Sequence, residues 1–137
     1  MNKVEHIGIA VKDLEQSELL FSRLFNILPY KREEVESESV ITSFFEIGDN
    51  KIELLSATDE NSPIAKFLSK NKEGIHHIAF EVKDIHKEIE RLKSEGFELI
   101  NEIPKKGADN KLVCFLHPRS TNGVLVELCE DFHTQSI

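Results

Sequence analysis

No stretch of this sequence approaches the ~18 consecutive apolar residues of a membrane-crossing helix, so no helical span is expected. The opening, Met1-Asn2-Lys3-Val4, has no basic start, apolar stretch or cleavage site of the secretory kind, and the cytoplasm is the expected compartment. Basic residues are also short. The 17 Lys and Arg stand against 25 Asp and Glu, a net charge of −8, whereas a nucleic-acid binder presents a cationic surplus. The two cysteines, Cys114 and Cys129, lie in separate strand-like runs and read as reduced core thiols, not as a disulfide or a zinc pair. At 137 residues the chain is the size of one domain.

What the chain does have is alternation. In Gly74-Ile75-His76-His77-Ile78-Ala79-Phe80-Glu81-Val82, Ile78, Phe80 and Val82 share a phase with His76, while His77, Ala79 and Glu81 take the other. A strand that buries one oily side yet keeps an imidazole opposite predicts a sheet whose second face lines a polar cavity. The same pattern opens the chain. In residues 4–11, Ile7, Ile9 and Val11 share one face, and Val4, His6, Gly8 and Ala10 share the other.

Asp13 then stands as a helix N-cap with Gln16 three residues on, and apolar residues at helical spacing predict a helix over 14–28 that Pro29 ends. Residues 31–39 are polar and read as an exposed loop or edge strand. Residues 40–47 and 51–55 read as strands joined by the turn Gly48-Asp49-Asn50; Ile52 and Leu54 share a face that Glu53 opposes. Ser62-Pro63 opens a short helix through Phe67 and Leu68. In the second half Asp84 caps a helix closed by Gly96, and residues 97–103, 112–116 and 124–129 are the remaining strand candidates, separated by 104–110 and 117–123.

The two halves repeat one another. His6, Ile7, Val11, Lys12 and Asp13 recur in order as His77, Ile78, Val82, Lys83 and Asp84, and Ile-Glu-Leu at Glu53 recurs as Val-Glu-Leu at Glu127. The chain therefore reads as a tandem duplication of a strand-helix-three-strand module, with module one about 1–60 and module two about 74–132. Each module contributes a histidine on its first strand and a glutamate on its last. Two imidazoles and two carboxylates make a mixed nitrogen and oxygen donor set suited to a divalent metal such as Zn²⁺, Co²⁺, Mn²⁺, Ni²⁺ or Fe²⁺. The two carboxylates would balance the dication, and without one they would be costly indoors. Taken singly, His6, His77, Glu53 and Glu127 are ordinary surface or core residues; equivalent positions in a repeat single them out. His76 shares the oily phase, His86 lies in a helix's first turn and His133 in the tail, so these carry no role, while His117 sits in a loop and is open.

Ser62-Pro63-Ile64-Ala65-Lys66-Phe67-Leu68, Lys70-Asn71-Lys72 and Gly74-Ile75-His76-His77-Ile78 are similar to a central segment of the methylmalonyl-CoA epimerase family. Phe115-Leu116-His117-Pro118 with Gly123-Val124-Leu125-Val126-Glu127-Leu128 resembles that family's C-terminal signature. The family belongs to the vicinal oxygen chelate superfamily, the glyoxalase, bleomycin-resistance and dioxygenase group. The resemblance covers nearly the whole chain and is weakest over 30–45. It implies an α+β fold of tandem βαβββ modules forming a curved mixed sheet around a metal site, in a single domain over 1–137. It further implies His6, Glu53, His77 and Glu127 as ligands of Co, Zn, Mn or Ni, an acyl-CoA substrate and a homodimer, with neither nucleic acid nor membrane as partner.

The implied chemistry is epimerisation at C2 of methylmalonyl-CoA: a metal-stabilised enolate forms as a base removes the α-proton, and a proton returns on the opposite face. Glu127 is the candidate for one base. Some members place a second glutamate on the strand that here reads Val40-Ile41-Thr42-Ser43, where the matching residue is Thr42, a poor base; Glu46 and Glu38 are nearby without matching the motif. Between Ile103 and Arg119, Lys105, Lys106, Lys111 and Arg119 stand against Asp109 alone, and Lys111 and Arg119 are the candidates for the CoA phosphates. The alternatives are a glyoxalase I-type lyase and a non-catalytic small-molecule-binding protein of the same fold. A dioxygenase uses Fe²⁺ with two histidines and one carboxylate, so the fourth ligand Glu53 counts against it.

Overall fold

Two aspartates begin the two long helices. Asp13 accepts from the Gln16 N–H at the start of α1 (Leu14–Phe25), and Asp84 accepts from the Lys87 N–H at the start of α3 (Ile85–Ser94). Ser62 does the same for the Ile64 N–H at α2 (Pro63–Lys70), where Pro63 takes a first-turn position that needs no N–H. The computed structural model describes residues 1–132, so His133 lies outside the described residues. The chain divides into two compact units, His6–His76 and Met1–Glu5 with His77–Ile137. The division falls within β1 (Lys3–Ala10) and within β5 (Gly74–Glu81). No described helix is long and apolar enough to cross a membrane.

In the first unit the strands run in the order β2 (Lys31–Val35), β3 (Val40–Ile47), β4 (Asn50–Ala57), β1. β2–β3 and β3–β4 are antiparallel, whereas β1 and β4 are parallel. Alternation gives this sheet two apolar faces. Ile9, Ile41, Phe45, Ile52 and Leu54 pack under α1 with Phe21 and Phe25, and Ala10, Val40 and Leu55 pack under α2 with Ile64, Phe67 and Leu68. Behind β3, Glu18 of α1 accepts from both Arg32 and the Ser43 hydroxyl, tying the helix to two strands.

In the second unit the order is β5, β8 (Val126–Asp131), β7 (Lys111–Leu116), β6 (Lys105–Lys106), with β5 and β8 parallel and the others antiparallel. One face packs under α3 through Val82, Cys114, Leu116 and Leu128 against Ile85, Ile89 and Leu92; the other carries Ala79, Val113, Phe115 and Cys129. The N-terminus belongs to this unit: the Asn2 N–H donates to the Glu81 carbonyl, and the terminal ammonium pairs with Glu88. Cys114 and Cys129 are buried and not joined in a disulfide, as expected, and burial pushes the Cys114 thiol up to about 12.

The α+β class and the paired strand-helix-strand modules match the expectation from sequence, with three corrections. α1 stops at Phe25, before Pro29, because Asn26 adopts a left-handed C-cap (φ 57°). Residues 97–103 form no strand: Leu99 makes a single bridge to Leu116, and the Asn101 side chain takes the Phe115 N–H that a ladder partner would use. The short outer strand is instead β6, inside the stretch read as a separator. Finally, β8 begins at Val126 and not at Val124, because Asn122 and Gly123 turn the chain with positive φ and the Val124 N–H closes back on Thr121. Residues 31–39 resolve into the outer strand β2 followed by a single 3-10 turn.

Candidate metal centre and active site

His6 lies on β1 in the phase of Gly8 and Ala10, and Glu53 lies on β4 in the phase of Leu55, so both share the sheet face that α2 covers farther along. His6 Nδ1 and Glu53 Oε2 are 3.1 Å apart. The second unit repeats the arrangement. His77 on β5 and Glu127 on β8 share the face of Ala79 and Cys129, with His77 Nε2 3.2 Å from Glu127 Oε1 and the imidazole edge-on to Phe115 at 6.0 Å. All four residues are at most 6 % exposed.

A buried carboxylate costs free energy unless it is paired or bound to a cation, and each of these has an imidazole beside it. The spacing also suits metal ligation: two donors each about 2.1 Å from one ion and at right angles stand about 3 Å apart, close to the separation in both pairs. The donor chemistry, imidazole nitrogen with carboxylate oxygen, fits Zn²⁺, Co²⁺, Mn²⁺ or Ni²⁺. The structure thus brings His6 to Glu53 and His77 to Glu127.

The other residues singled out in the sequence separate from these. His76 packs edge-on against Phe67 at 5.0 Å, as its oily phase implied. His117, left open by sequence, is the cap of the 3-10 turn Pro118–Ser120, its Nδ1 accepting the Arg119 N–H. The Arg119 guanidinium is gripped in two-pronged fashion by Glu98, whose carboxyl is held below the usual range by that bond. Lys111 is half-buried at the start of β7, paired in register with Asp131. Thr42 is buried on β3, on the face of Glu53; Glu46 is exposed, and Glu38 stands in the 3-10 turn after β2.

Sequence reasoning missed Glu130. It is buried on β8, three residues beyond Glu127 and on the opposite face, where its Oε1 accepts the Ile85 N–H at 2.8 Å and caps α3. The signal was its phase, shared with Leu128 beneath α3, and not its residue type.

Residues 5–115 match the family model described as Glyoxalase/Bleomycin resistance protein/Dioxygenase superfamily, and the chain belongs to that superfamily. Its branch is that of the methylmalonyl-CoA epimerases. The chain is 42 % identical to the mitochondrial methylmalonyl-CoA epimerase of Dictyostelium discoideum, over 95 % of this chain and 79 % of that one. Among solved structures, a hypothetical protein of Bacillus halodurans is 46 % identical with a TM-score of 0.92, covering 94 % of both chains. A variant of the Streptomyces coelicolor methylmalonyl-CoA epimerase, in complex with 2-nitronate-propionyl-CoA, is 30 % identical with a TM-score of 0.92, covering 96 % of this chain and 95 % of that one. The resemblance carried by residues 62–78 and 115–128 is borne out.

Proposed function

We propose that this chain interconverts the two C2 epimers of methylmalonyl-CoA, with His6, Glu53, His77 and Glu127 as ligands of one divalent cation and Glu127 as a proton-transferring base. The observation that carries the reading is the pair of buried imidazole–carboxylate contacts, 3.1 Å and 3.2 Å long, at matched positions of a duplicated module. In this reading the two units make up one vicinal oxygen chelate domain, module one about 1–60 and module two about 74–132.

A bound Zn²⁺, Co²⁺, Mn²⁺ or Ni²⁺ would supply Lewis acidity toward the thioester oxygen. The chain's own residues do the rest. Glu127 takes the α-proton from C2, the electron pair of the broken C–H bond passes into the carbonyl system, and a proton delivered to the opposite face of C2 completes the inversion without net oxidation or reduction. Burial of the four ligands excludes water from the charge that develops. His77 holds Glu127 in place through the 3.2 Å contact.

Lys111 and Arg119 are assigned to the CoA phosphates, with Arg119 shared between that role and Glu98. Leu20, Leu24 and Leu28, one turn apart along and just past α1, are all more than half exposed, which supports burial against a second copy in a homodimer. The two buried thiols, not joined in a disulfide, suit a reducing compartment such as the cytoplasm.

Proton NMR of methylmalonyl-CoA in D₂O tests the reading, with metal-loaded protein beside a chelator-treated sample. Metal-dependent loss of the α-proton signal together with racemisation at C2 is the expected outcome. Exchange no faster than in the protein-free control would overturn it and move a glyoxalase-type or binding function forward.

A further inference from the structure

Residues 62–72 have no part in the donor set or in the proton transfer, yet their charge is unusual for this chain. They hold Lys66, Lys70 and Lys72 and no aspartate or glutamate. All three lysines are exposed, and among the described residues none of their ammonium groups makes an ion pair or a hydrogen bond. Two carboxylates that flank the segment are turned elsewhere: Glu73 accepts the Lys12 N–H at 2.7 Å, and Asp59 accepts the Asn61 N–H at 2.8 Å.

Helix stability does not account for the pattern. Lys70 stands in the last turn of α2, where a cation suits the helix dipole, but Lys66 stands one turn earlier, where it repels Lys70, and Lys72 lies past the Asn71 C-cap. In α3 the last-turn cations are each matched, Arg91 with Glu88 and Lys93 with Glu102. In a chain of net charge −8, three neighbouring cations left unmatched form a place for an anion from outside.

α2 is fixed to the sheet face that carries His6 and Glu53. Ile64, Phe67 and Leu68 pack on Ala10, Val40 and Leu55, and His76 closes edge-on against Phe67 at 5.0 Å. Leu55 follows Glu53 in the same phase, about 7 Å along β4. A helix with its side chains is about 10–12 Å across, so the exposed lysines stand about that far above the sheet. The pantetheine arm of CoA, from sulfur to diphosphate, has the contour of about four extended residues, about 14 Å. A thioester held at Glu53 can thus place its phosphates at the α2 lysines, with the whole span inside the unit His6–His76.

We propose that the outer side of α2 grips the nucleotide end of CoA, with Lys66, Lys70 and Lys72 holding its phosphates. This rests on the function proposed above. A diphosphate and a separate 3′-phosphate carry more negative charge than Lys111 and Arg119 offset, since Arg119 is already held by Glu98. The α2 lysines touch no reacting atom and act on binding of the CoA ester, not on its turnover.

Steady-state kinetics test this on a variant that combines Lys66→Gln, Lys70→Gln and Lys72→Gln, with methylmalonyl-CoA beside methylmalonyl-pantetheine, which lacks the phosphates. KM for the CoA ester should rise about tenfold, the combined effect of three exposed ion pairs, with kcat within about twofold. The pantetheine ester should give the same kcat/KM with both proteins. An unchanged KM for the CoA ester, or an equal loss with both esters, would overturn the grip. Calorimetry with 3′-phospho-ADP, the nucleotide end of CoA, keeps the grip apart from the chemistry: its binding should weaken about tenfold in the variant, and equal binding by both proteins would overturn the grip. Wild-type protein that binds the nucleotide more tightly than the variant yet exchanges no α-proton would sink the epimerase reading and leave the grip standing.

Discussion

The division of carboxylates by strand phase makes a strong claim about β8: Glu127 belongs to the chemistry, while Glu130, three residues on, belongs to the fold. Glu130→Ala removes the acceptor for the Ile85 N–H, a 2.8 Å bond to an ionised group inside the protein. Such a bond contributes about 1.5–3 kcal/mol, and a negative charge at a helix N-terminus adds about 0.3–1 kcal/mol. Asp84 still caps the helix through Lys87, so the loss should total about 2–4 kcal/mol. At about 2.1 cal/mol/K per residue, the unfolding entropy of 137 residues is about 0.3 kcal/mol/K, which converts the loss into a fall in Tm of about 7–13 °C. Thermal melts followed by circular dichroism give the shift, and turnover at 25 °C with metal content gives the control. Full turnover per folded molecule should accompany the lowered Tm. A Tm within about 2 °C of wild type, or turnover lost while Tm holds, would show that phase is the wrong guide to these two residues.

Glu127→Gln should abolish epimerisation while retaining some metal, whereas His77→Ala should mainly strip it; turnover and elemental analysis on both variants separate the roles. Lys111→Glu should raise KM for a CoA ester more than it lowers kcat, and Glu98→Gln, which loosens the grip on Arg119, should lower KM, both read from steady-state kinetics. The Arg32 bond holds the Glu18 carboxyl below its ordinary range, so its contribution to stability is present above the unfolded pKa and lost as pH falls through the lower folded value. Melts of wild type and Arg32→Ala should therefore converge on acidification, and a gap that stays constant to low pH would refute the linkage.

Much of this molecule is local chemistry and could be read as such. Asp13, Ser62-Pro63 and Asp84 open helices where capping rules put them, because a cap needs only its own few residues. The imidazole–carboxylate pairs were legible because duplication repeats a His and a Glu in step, so that coincidence had to occur twice. The failures share a different cause. Asn26 ends α1 by adopting a left-handed conformation that apolar spacing does not report. Residues 97–103 look like a strand, yet a side chain from Asn101 takes over the ladder bond. Thr42 and Glu33 are separated by the 3-10 turn at Glu36–Glu38 and by Ser39 in a left-handed conformation, and that turn sets which residues face each other across β2 and β3. Alternation gives the phase of each strand; only register gives its neighbour.

The boundary that passes through β1 places residues 1–5 with the second unit and residue 6 onward with the first. The repeat boundary in sequence and the unit boundary in space therefore differ, so a cut between the repeats does not separate the two units. A fragment ending before Gly74 would carry a short strand-forming overhang, Lys3–Glu5, whose place lies in the missing half. A fragment starting at Gly74 would in turn lack the Asn2 N–H that meets the Glu81 carbonyl and the terminal ammonium that pairs with Glu88.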